Sequence, residues 1–306
     1  MIVTAGEAII DFTPRQWGSE SGFLPRPGGS LFNVAIGLAR LGIPTGFLGR
    51  LSTDCFGQHL YQYLQENQVD LTYVQQGHEP TALAFVNLRE TGVPEYAFYG
   101  DQTADSHLKQ GEIPPLDQSV CALHCGSIAL VRGPGAVVYQ ELMQVYASKR
   151  FLSLDPNIRP AFIPDRDSYR HQLSQWIQWV DLVKVSQEDL QWLFPGGSIQ
   201  ETARRWVQLG AGMVVVTLGS QGAVAFMDEH EIVVGTESIQ VVDTVGAGDA
   251  FMSGLLAFLY QQDLLRSPLA DLSLPLIEKL LIFANKVAGL TCQQAGSNPP
   301  RLSDLI

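Results

Sequence analysis

The feature that most narrows the fold is a rhythm in the second half of the chain. From about residue 120, short β-favouring runs (ALHCGSIAL, RFLSLDPN, DLVKVS and MVVVTLGS) alternate with segments of helical apolar spacing such as YQELMQVYASK and IQETARRWVQLG. Strands separated by helices return parallel to one another, and the helices then cover both faces of the sheet. The first half follows the same scheme. Leu31, Val34, Ala35, Leu38 and Leu41 fall at helical spacing, and Gly42 with Pro44 ends the segment. FLGRLSTDCFGQHLYQYLQENQVD reads as a strand followed by a helix. The opening IVTAGEAIIDF reads as one short apolar strand, interrupted by a glycine and ending on Asp11. The expected class is α/β, with a mostly parallel central sheet flanked by helices. No repeat or composition break divides it, so residues 1–306 are expected to form a single domain. Ligand-binding residues are expected at the C-terminal ends of the strands.

Two stretches depart from the rhythm. TPRQWGSESGFLPRPGGS is rich in Gly, Pro and Ser and reads as loop or short strands. TALAFVNLRETGVPEYAFYG places two β-favouring runs around a Glu-Thr-Gly-Val-Pro turn, a hairpin signal amid βα units. Such a hairpin belongs to an edge or an inserted flap.

Charge and cysteine content exclude several functions. A formal net charge of −12 disfavours nucleic acid and anionic membrane surfaces as partners. No apolar run approaches the roughly 20 residues of a membrane span, and the N-terminus lacks a signal-peptide pattern. The chain therefore reads as cytoplasmic. Cys121, His124 and Cys125 crowd together in CALHC, but no second ligand pair stands at zinc-site spacing, so they read as buried strand residues.

Against that acidic background, DTVGAGDAFMSGLLAFLY stands out. Phe251, Met252, Leu255, Leu256, Phe258 and Leu259 make a helix that is apolar around most of its circumference, hence buried. Gly246, Ala247 and Gly248 stand at its start, where backbone N–H groups lack internal partners and the helix dipole is positive. Small residues let an anion approach those donors, which makes a phosphate site without side-chain cations. Asp249 beside such a site has two readings: a residue favouring the helix start, or a base that takes a proton from a hydroxyl attacking phosphorus. Neither a P-loop nor a Gly-x-Gly-x-x-Gly fingerprint after the first strand is present.

RPGGSLFNVAIGLARLG together with VVDTVGAGDAFMSGLL resembles the paired signatures of the ribokinase-like PfkB carbohydrate kinases. GEAIIDF, DPNIR, VKVSQED, TLGSQGA and FANKVAGLTCQQAGSNPP extend the likeness over nearly the whole chain, and within the family the sequence is most similar to fructokinases. The resemblance implies a three-layer ribokinase-like fold with a small β-sheet lid at about residues 12–27 and 81–101. It implies an ATP-dependent sugar kinase that transfers the γ-phosphoryl group of Mg-ATP to a primary hydroxyl, with D-fructose the foremost acceptor. Ribokinase, 2-keto-3-deoxygluconate kinase and nucleoside kinase activities are the alternatives within the family, and a non-catalytic sugar-binding descendant is the alternative outside it.

By the same resemblance, Asp249 is the base and Gly246, Ala247 and Gly248 frame the anion hole. Asp11, Gly28, Gly29 and Asn33 hold the sugar, Arg159 faces the substrate and transferring phosphate, and Phe98 on the lid supplies an apolar wall. Lys184, Ser186, Thr217, Gly219, Gly222, Gly248 and Asn285 line the nucleotide site. Asp189 is assigned to magnesium through water or, equally, to a cap formed with Ser186. Asp243 belongs to a loop that in relatives holds a monovalent cation such as K+; here Pro300 stands where some relatives offer a serine, which leaves the cation open. Plant-type fructokinases carry Phe-Tyr-Arg in the lid, whereas this chain has Gly100 after Phe98 and Tyr99. In relatives the lid also forms a homodimer contact. Lys184 carries an independent signal: it is one of only five lysines and lies inside an apolar strand, where an ammonium needs a phosphate or a carboxylate beside it.

Overall fold

The structure, a computed structural model, describes residues 1–88, 94–111 and 113–305, with side chains left undescribed at 86–96. In chain order the elements are β1 (Ile2–Ala5), β2 (Ile9–Trp17), β3 (Glu20–Gly28), α1 (Ser30–Arg40), β4 (Thr45–Ser52), α2 (Cys55–Glu66), β5 (Val74–Gly77), β6 (Leu83–Leu88), β7 (Pro94–Tyr99) and β8 (Ala122–Gly126). They continue as α3 (Gly135–Tyr146), β9 (Phe151–Asp155), α4 (Arg166–Ile177), β10 (Leu182–Ser186), α5 (Gln187–Leu193), α6 (Ile199–Leu209), β11 (Met213–Thr217), β12 (Ala223–Met227), β13 (His230–Val234), α7 (Ala247–Gln261) and α8 (Leu274–Cys292).

Nine strands form the main sheet in the order β13-β12-β11-β10-β9-β8-β1-β4-β5. Neighbours from β5 to β11 are parallel, and β12 and β13 close one edge antiparallel. The apolar run MVVVT shows why the sheet is covered on both sides. Val214 and Val216 pack into a core with Tyr139 of α3, Trp176 of α4 and Trp206 of α6. Met213 and Val215 enter the opposite core with Val34 of α1, Met252 and Leu255 of α7, and Leu281 of α8. Alternate residues are thus buried on alternate faces, which gives a continuous apolar strand rather than an amphipathic one. Among the described residues no helix is long and apolar enough to cross a membrane.

The opening segment corrects the one-strand expectation. β1 belongs to the main sheet, whereas β2 joins a separate four-stranded sheet in the order β3-β2-β6-β7. Between them, a Cβ on Gly6 would lie 2.5 Å from Leu31 Cγ, so only glycine lets the chain cross the start of α1 there. Asp11 consequently sits inside β2, opposite Arg26 of β3, and not at a strand end. Of the two readings of the Gly/Pro/Ser-rich stretch after it, loop or short strands, the second holds: β2 and β3 pair along nine residues. Its two prolines in β3, Pro25 and Pro27, are tolerated because β3 is an edge strand. The predicted hairpin is present as β6 and β7; the centre of its turn, residues 89–93, lies outside the described residues.

This small sheet stands over the C-terminal ends of the main strands. Phe12 on β2 stacks on Phe85 of β6 at 4.5 Å and meets Phe56 of α2 edge-on at 5.6 Å, which seats the small sheet on the body. Arg26 donates to the Ala295 carbonyl at 3.2 Å and joins its other side to the loop after α8.

Candidate active site

Asp249 lies in the first turn of α7 and is buried. The residue ahead of that helix, Gly246, is left-handed (φ 77°), and a Cβ there would run into Ser297, so glycine is required on both counts. At the helix start the Ala247 N–H turns back to the Thr244 carbonyl (3.2 Å) and Ala250 N–H to that of Gly246 (2.8 Å). Among the described residues no backbone acceptor reaches the N–H groups of Gly246, Gly248 or Asp249. Three donors are therefore left for an anion, at the positive end of a 15-residue helix.

Lys184 adds a cation at the same place. Its ammonium is 2.9 Å from where a Gly248 Cβ would stand, and it donates to Asp155 Oδ2 at 2.8 Å. Burial works against the charge, but the Asp155 carboxylate outweighs it, so Lys184 titrates above the ordinary lysine range.

The carboxylate of Asp249 is held from two sides. Ser30 Oγ donates to Oδ1 at 2.7 Å and Asn33 Nδ2 to Oδ2 at 2.8 Å, both from the first turns of α1. Asn33 thus does not cap α1; Gly29 stands in the N-cap position. Asn157, left-handed at φ 39°, donates to Ser30 Oγ at 2.9 Å and accepts from Arg159 Nη1 at 2.7 Å. Burial raises the Asp249 carboxyl to about 6, against the pull of Asn33, Ser30 and Lys184. Asp11 is also raised to about 6, first by burial and then by the Asp249 charge, with Arg159 opposing. The charge of Asp249 thus reaches Asp11. Gly28 lies against Asp11, since any Cβ there would strike its Oδ2.

On the small sheet, Phe98 packs against Ile9, Ala82 and Ala84 and meets Phe162 edge-on at 4.9 Å. A side chain at Gly100 would collide with the Phe98 ring and with Arg132. The Arg132 guanidinium fills the space beside Gly100, 4.8 Å over Phe98 and ion-paired to Asp105.

A second cluster gathers at the ends of β11 and β13. Thr217 ends β11, and Gly219 and Gly222 turn the chain with φ 59° and 96°. A Cβ on Gly222 would strike the Val234 carbonyl, and Asn285 of α8 donates to the Val234 and Gly235 carbonyls at 3.5 and 3.3 Å. Ser186 and Asp189 form a capping box on α5, and Asp189 also accepts the Ile158 N–H at 3.1 Å. Asp243 accepts from Val245 N–H (3.0 Å) and Gly296 N–H (2.8 Å), joining the loop before α7 to the loop after α8; the Ser297 hydroxyl beside them is buried without a partner. His124 and Cys125 are buried on β8; burial lowers the imidazole to about 4 and raises the thiol, the behaviour of strand residues rather than metal ligands. Among the described residues no group of three or more His, Cys, Asp or Glu could hold a metal ion.

A family model of the pfkB family carbohydrate kinases matches residues 1–304. The chain belongs to that family. The kinase is 40% identical to a fructokinase of Rhizobium leguminosarum bv. trifolii over 266 residues, 87% of this chain and 81% of that protein. A fructokinase from Xylella fastidiosa, solved with bound ATP, superposes with a TM-score of 0.87 at 28% identity, covering 99% of this chain and 96% of that one. A double mutant of a fructokinase from Vibrio cholerae O395, solved with fructose, ADP and potassium ion, superposes with a TM-score of 0.83 at 28% identity, covering 97% and 93%.

Four residues of the candidate site carried no signal of their own in the sequence: Glu7, Ser30, Asp155 and Asn157. Each stands inside a quoted motif, GEAIIDF, PGGS or DPNIR, but their partners lie far away in the sequence. The Ser30 to Asp249 bond, for example, spans 219 positions.

Proposed function

We propose that the kinase transfers the γ-phosphoryl group of ATP to the C6 primary hydroxyl of D-fructose, giving fructose 6-phosphate. The observation that carries this reading is the juxtaposition at α7. A raised, oriented carboxylate stands in the same turn as three N–H groups free of backbone partners, with Asp11 near enough to feel its charge. Asp11 accepts sugar hydroxyls, Gly28 and Gly29 floor the ring, and Asn33 both supports Asp249 and borders the sugar. The lid wall at Phe98 excludes water that would otherwise take the phosphoryl group. Asp249 receives the hydroxyl proton as the oxygen attacks phosphorus, and a carboxyl near 6 is ionised at neutral pH yet basic enough to accept it. The N–H groups of Gly246, Gly248 and Asp249, with Lys184 and Arg159, stabilise negative charge on the transferring group and the departing ADP. Thr217, Gly219, Gly222 and Asn285 border the adenosine.

The residues fit a magnesium ion that arrives on the nucleotide. Asp155 is committed to Lys184 and both Asp189 oxygens accept backbone N–H groups, so the protein contributes through water at most, as is common for this ion. When bound, magnesium neutralises phosphate charge. A monovalent cation at the Asp243 loop is supported by the orphan Ser297 hydroxyl, which has an oxygen to offer. Four free cysteines suit a reducing cytoplasm. Trp17, Phe23 and Tyr99 are exposed on the small sheet and suit a second copy of the chain docking there.

A coupled ADP-release assay over fructose, ribose, glucose, 2-keto-3-deoxygluconate and adenosine tests the acceptor. Fructose should give the highest kcat/KM, and preference for any other member would refute it.

Two further results are expected. Gly28→Ala drives a methyl group into Asp11, so KM for the sugar should rise about 10- to 100-fold, the value of a hydrogen bond to a charged group, with KM for ATP unchanged. Secondly, kcat/KM for the sugar should fall at least tenfold per unit below about pH 6, where Asp11 and Asp249 gain protons and lose their acceptor and base roles. Initial rates across pH 5 to 8 would show a flat profile if the carboxylates are not required.

A further inference from the structure

The crossing from β1 to the lid places a second buried acid behind the base. Glu7 is only 2% exposed. Its Oε1 accepts the N–H of Ser30 at 2.9 Å, and Ser30 is the residue whose hydroxyl donates to Asp249 at 2.7 Å. The main chain of Glu7 grips the same turn: a Cβ on Gly29 would lie 2.8 Å from the Glu7 carbonyl oxygen, and Gly29 has φ 104°. Tyr139 of α3 donates to the neighbouring Gly6 carbonyl at 3.1 Å, which fixes the crossing from the other side. Glu7 thus reaches the Asp249 carboxylate only through Ser30, and it holds the start of α1, from which both donors to Asp249 arise.

We propose that Glu7 is a positioning residue for phosphoryl transfer, whose ionised carboxylate fixes the Ser30 N–H and thereby the hydroxyl that orients Asp249. The inference rests on Asp249 being the base. An ionised acceptor makes the Ser30 bond charge-assisted, about twice as strong as a neutral one. A proton on Glu7 weakens that bond and loosens the turn that carries Ser30.

The surroundings leave this proton easy to gain. Burial pushes Glu7 up to about 7; the Ser127 hydroxyl and the Ser30 N–H oppose this, and Asp105 adds to it. The other titratable groups facing the cluster are Arg132, which pairs with Asp105, Tyr139 from α3, Cys125 from β8, Asp11 from β2, and Asp249 itself. Tyr139 and Cys125 are both raised by burial and stay neutral through this range. Protonation of Glu7 thus adds a shallow step near pH 7 above the steep fall near pH 6.

Glu7→Gln and Asp249→Asn, assayed side by side on the sugar that the wild type turns over, test the proposal. Glutamine keeps an oxygen for the Ser30 N–H, so the fold is retained. Its kcat should drop about tenfold with KM for ATP unchanged, and the step near pH 7 should vanish from the profile while the fall near pH 6 remains. Wild-type kcat and profile in Glu7→Gln, alongside an inactive Asp249→Asn, would overturn the role of Glu7 alone. A lowered kcat that keeps the step near pH 7 would also overturn it, since that marks a structural loss. Turnover surviving in Asp249→Asn would instead remove the base assignment on which it rests.

Discussion

Asp249→Asn should lower turnover by about 10²- to 10⁴-fold, the range expected for loss of a general base, while sugar binding persists. The introduced amide has the shape of the carboxylate and can still accept from Asn33, so the pocket with Asp11 stays formed. What disappears is the acceptor for the hydroxyl proton. The same variant should be more stable at pH 8. In the folded chain the Asp249 carboxyl rises from 3.8 to about 6, mainly through burial, so the native state holds its proton to higher pH than the unfolded chain does. The stability this provides is complete below about pH 4 and is lost as pH rises through about 6, leaving a buried charge that costs on the order of 2–3 kcal/mol at neutral pH. Removing that charge should raise the melting midpoint by a few degrees. Stopped assays with calorimetric sugar titration and thermal scans at pH 5 and pH 8 check all three points. Loss of sugar binding together with activity would mean that Asp249 shapes the pocket rather than acting on the proton.

Lys184→Met should produce the largest loss of stability among single changes at the site, about 3–5 kcal/mol, because it leaves the buried Asp155 carboxylate without its cation. The companion change Asp155→Asn separates two roles of the lysine. In the double variant no uncompensated charge remains, and the new amide can still accept the Asn157 N–H that Asp155 holds at 3.1 Å. Denaturant melts should therefore show most of the stability restored. Affinity for ATP should not return if the ammonium beside Gly248 meets phosphate as proposed. A double variant that binds ATP like the wild type would limit Lys184 to a structural role.

The parts of this architecture that were legible in the sequence are those set by local spacing. The βα alternation, the apolar α7 and the tiny residues at its start follow from periodicity and from the free N–H groups of any helix beginning. Lys184 was legible because a lone ammonium in an apolar strand demands a partner, although nothing local named Asp155. The small sheet was only half legible: alternation is weak along β3, where Pro25 and Pro27 sit on an edge strand, so the stretch read equally as loop or as short strands. β1 and β2 merged in the sequence reading because apolar residues flank Gly6 on both sides, and only the packing of Leu31 shows that the chain changes sheets there. The net of Glu7, Ser30, Asn157 and Asp249 was hidden for a different reason. Its members come from β1–β2, α1, the turn after β9 and α7, and hydrogen bonds across such separations leave no periodic trace. The absent lid arginine was visible as Gly100, but that Arg132 fills the space beside it required the fold.

The central claim is geometric: one helix start presents its bare amides to the nucleotide's terminal phosphate while the acid in that turn meets the alcohol. A crystal structure with fructose and a non-hydrolysable ATP analogue measures it directly. The account predicts the primary hydroxyl within about 3 Å of the Asp249 carboxylate and γ-phosphate oxygens on the N–H groups of Gly246, Gly248 and Asp249. A hydroxyl turned away from Asp249, or a γ-phosphate bound elsewhere than at the start of α7, would contradict it.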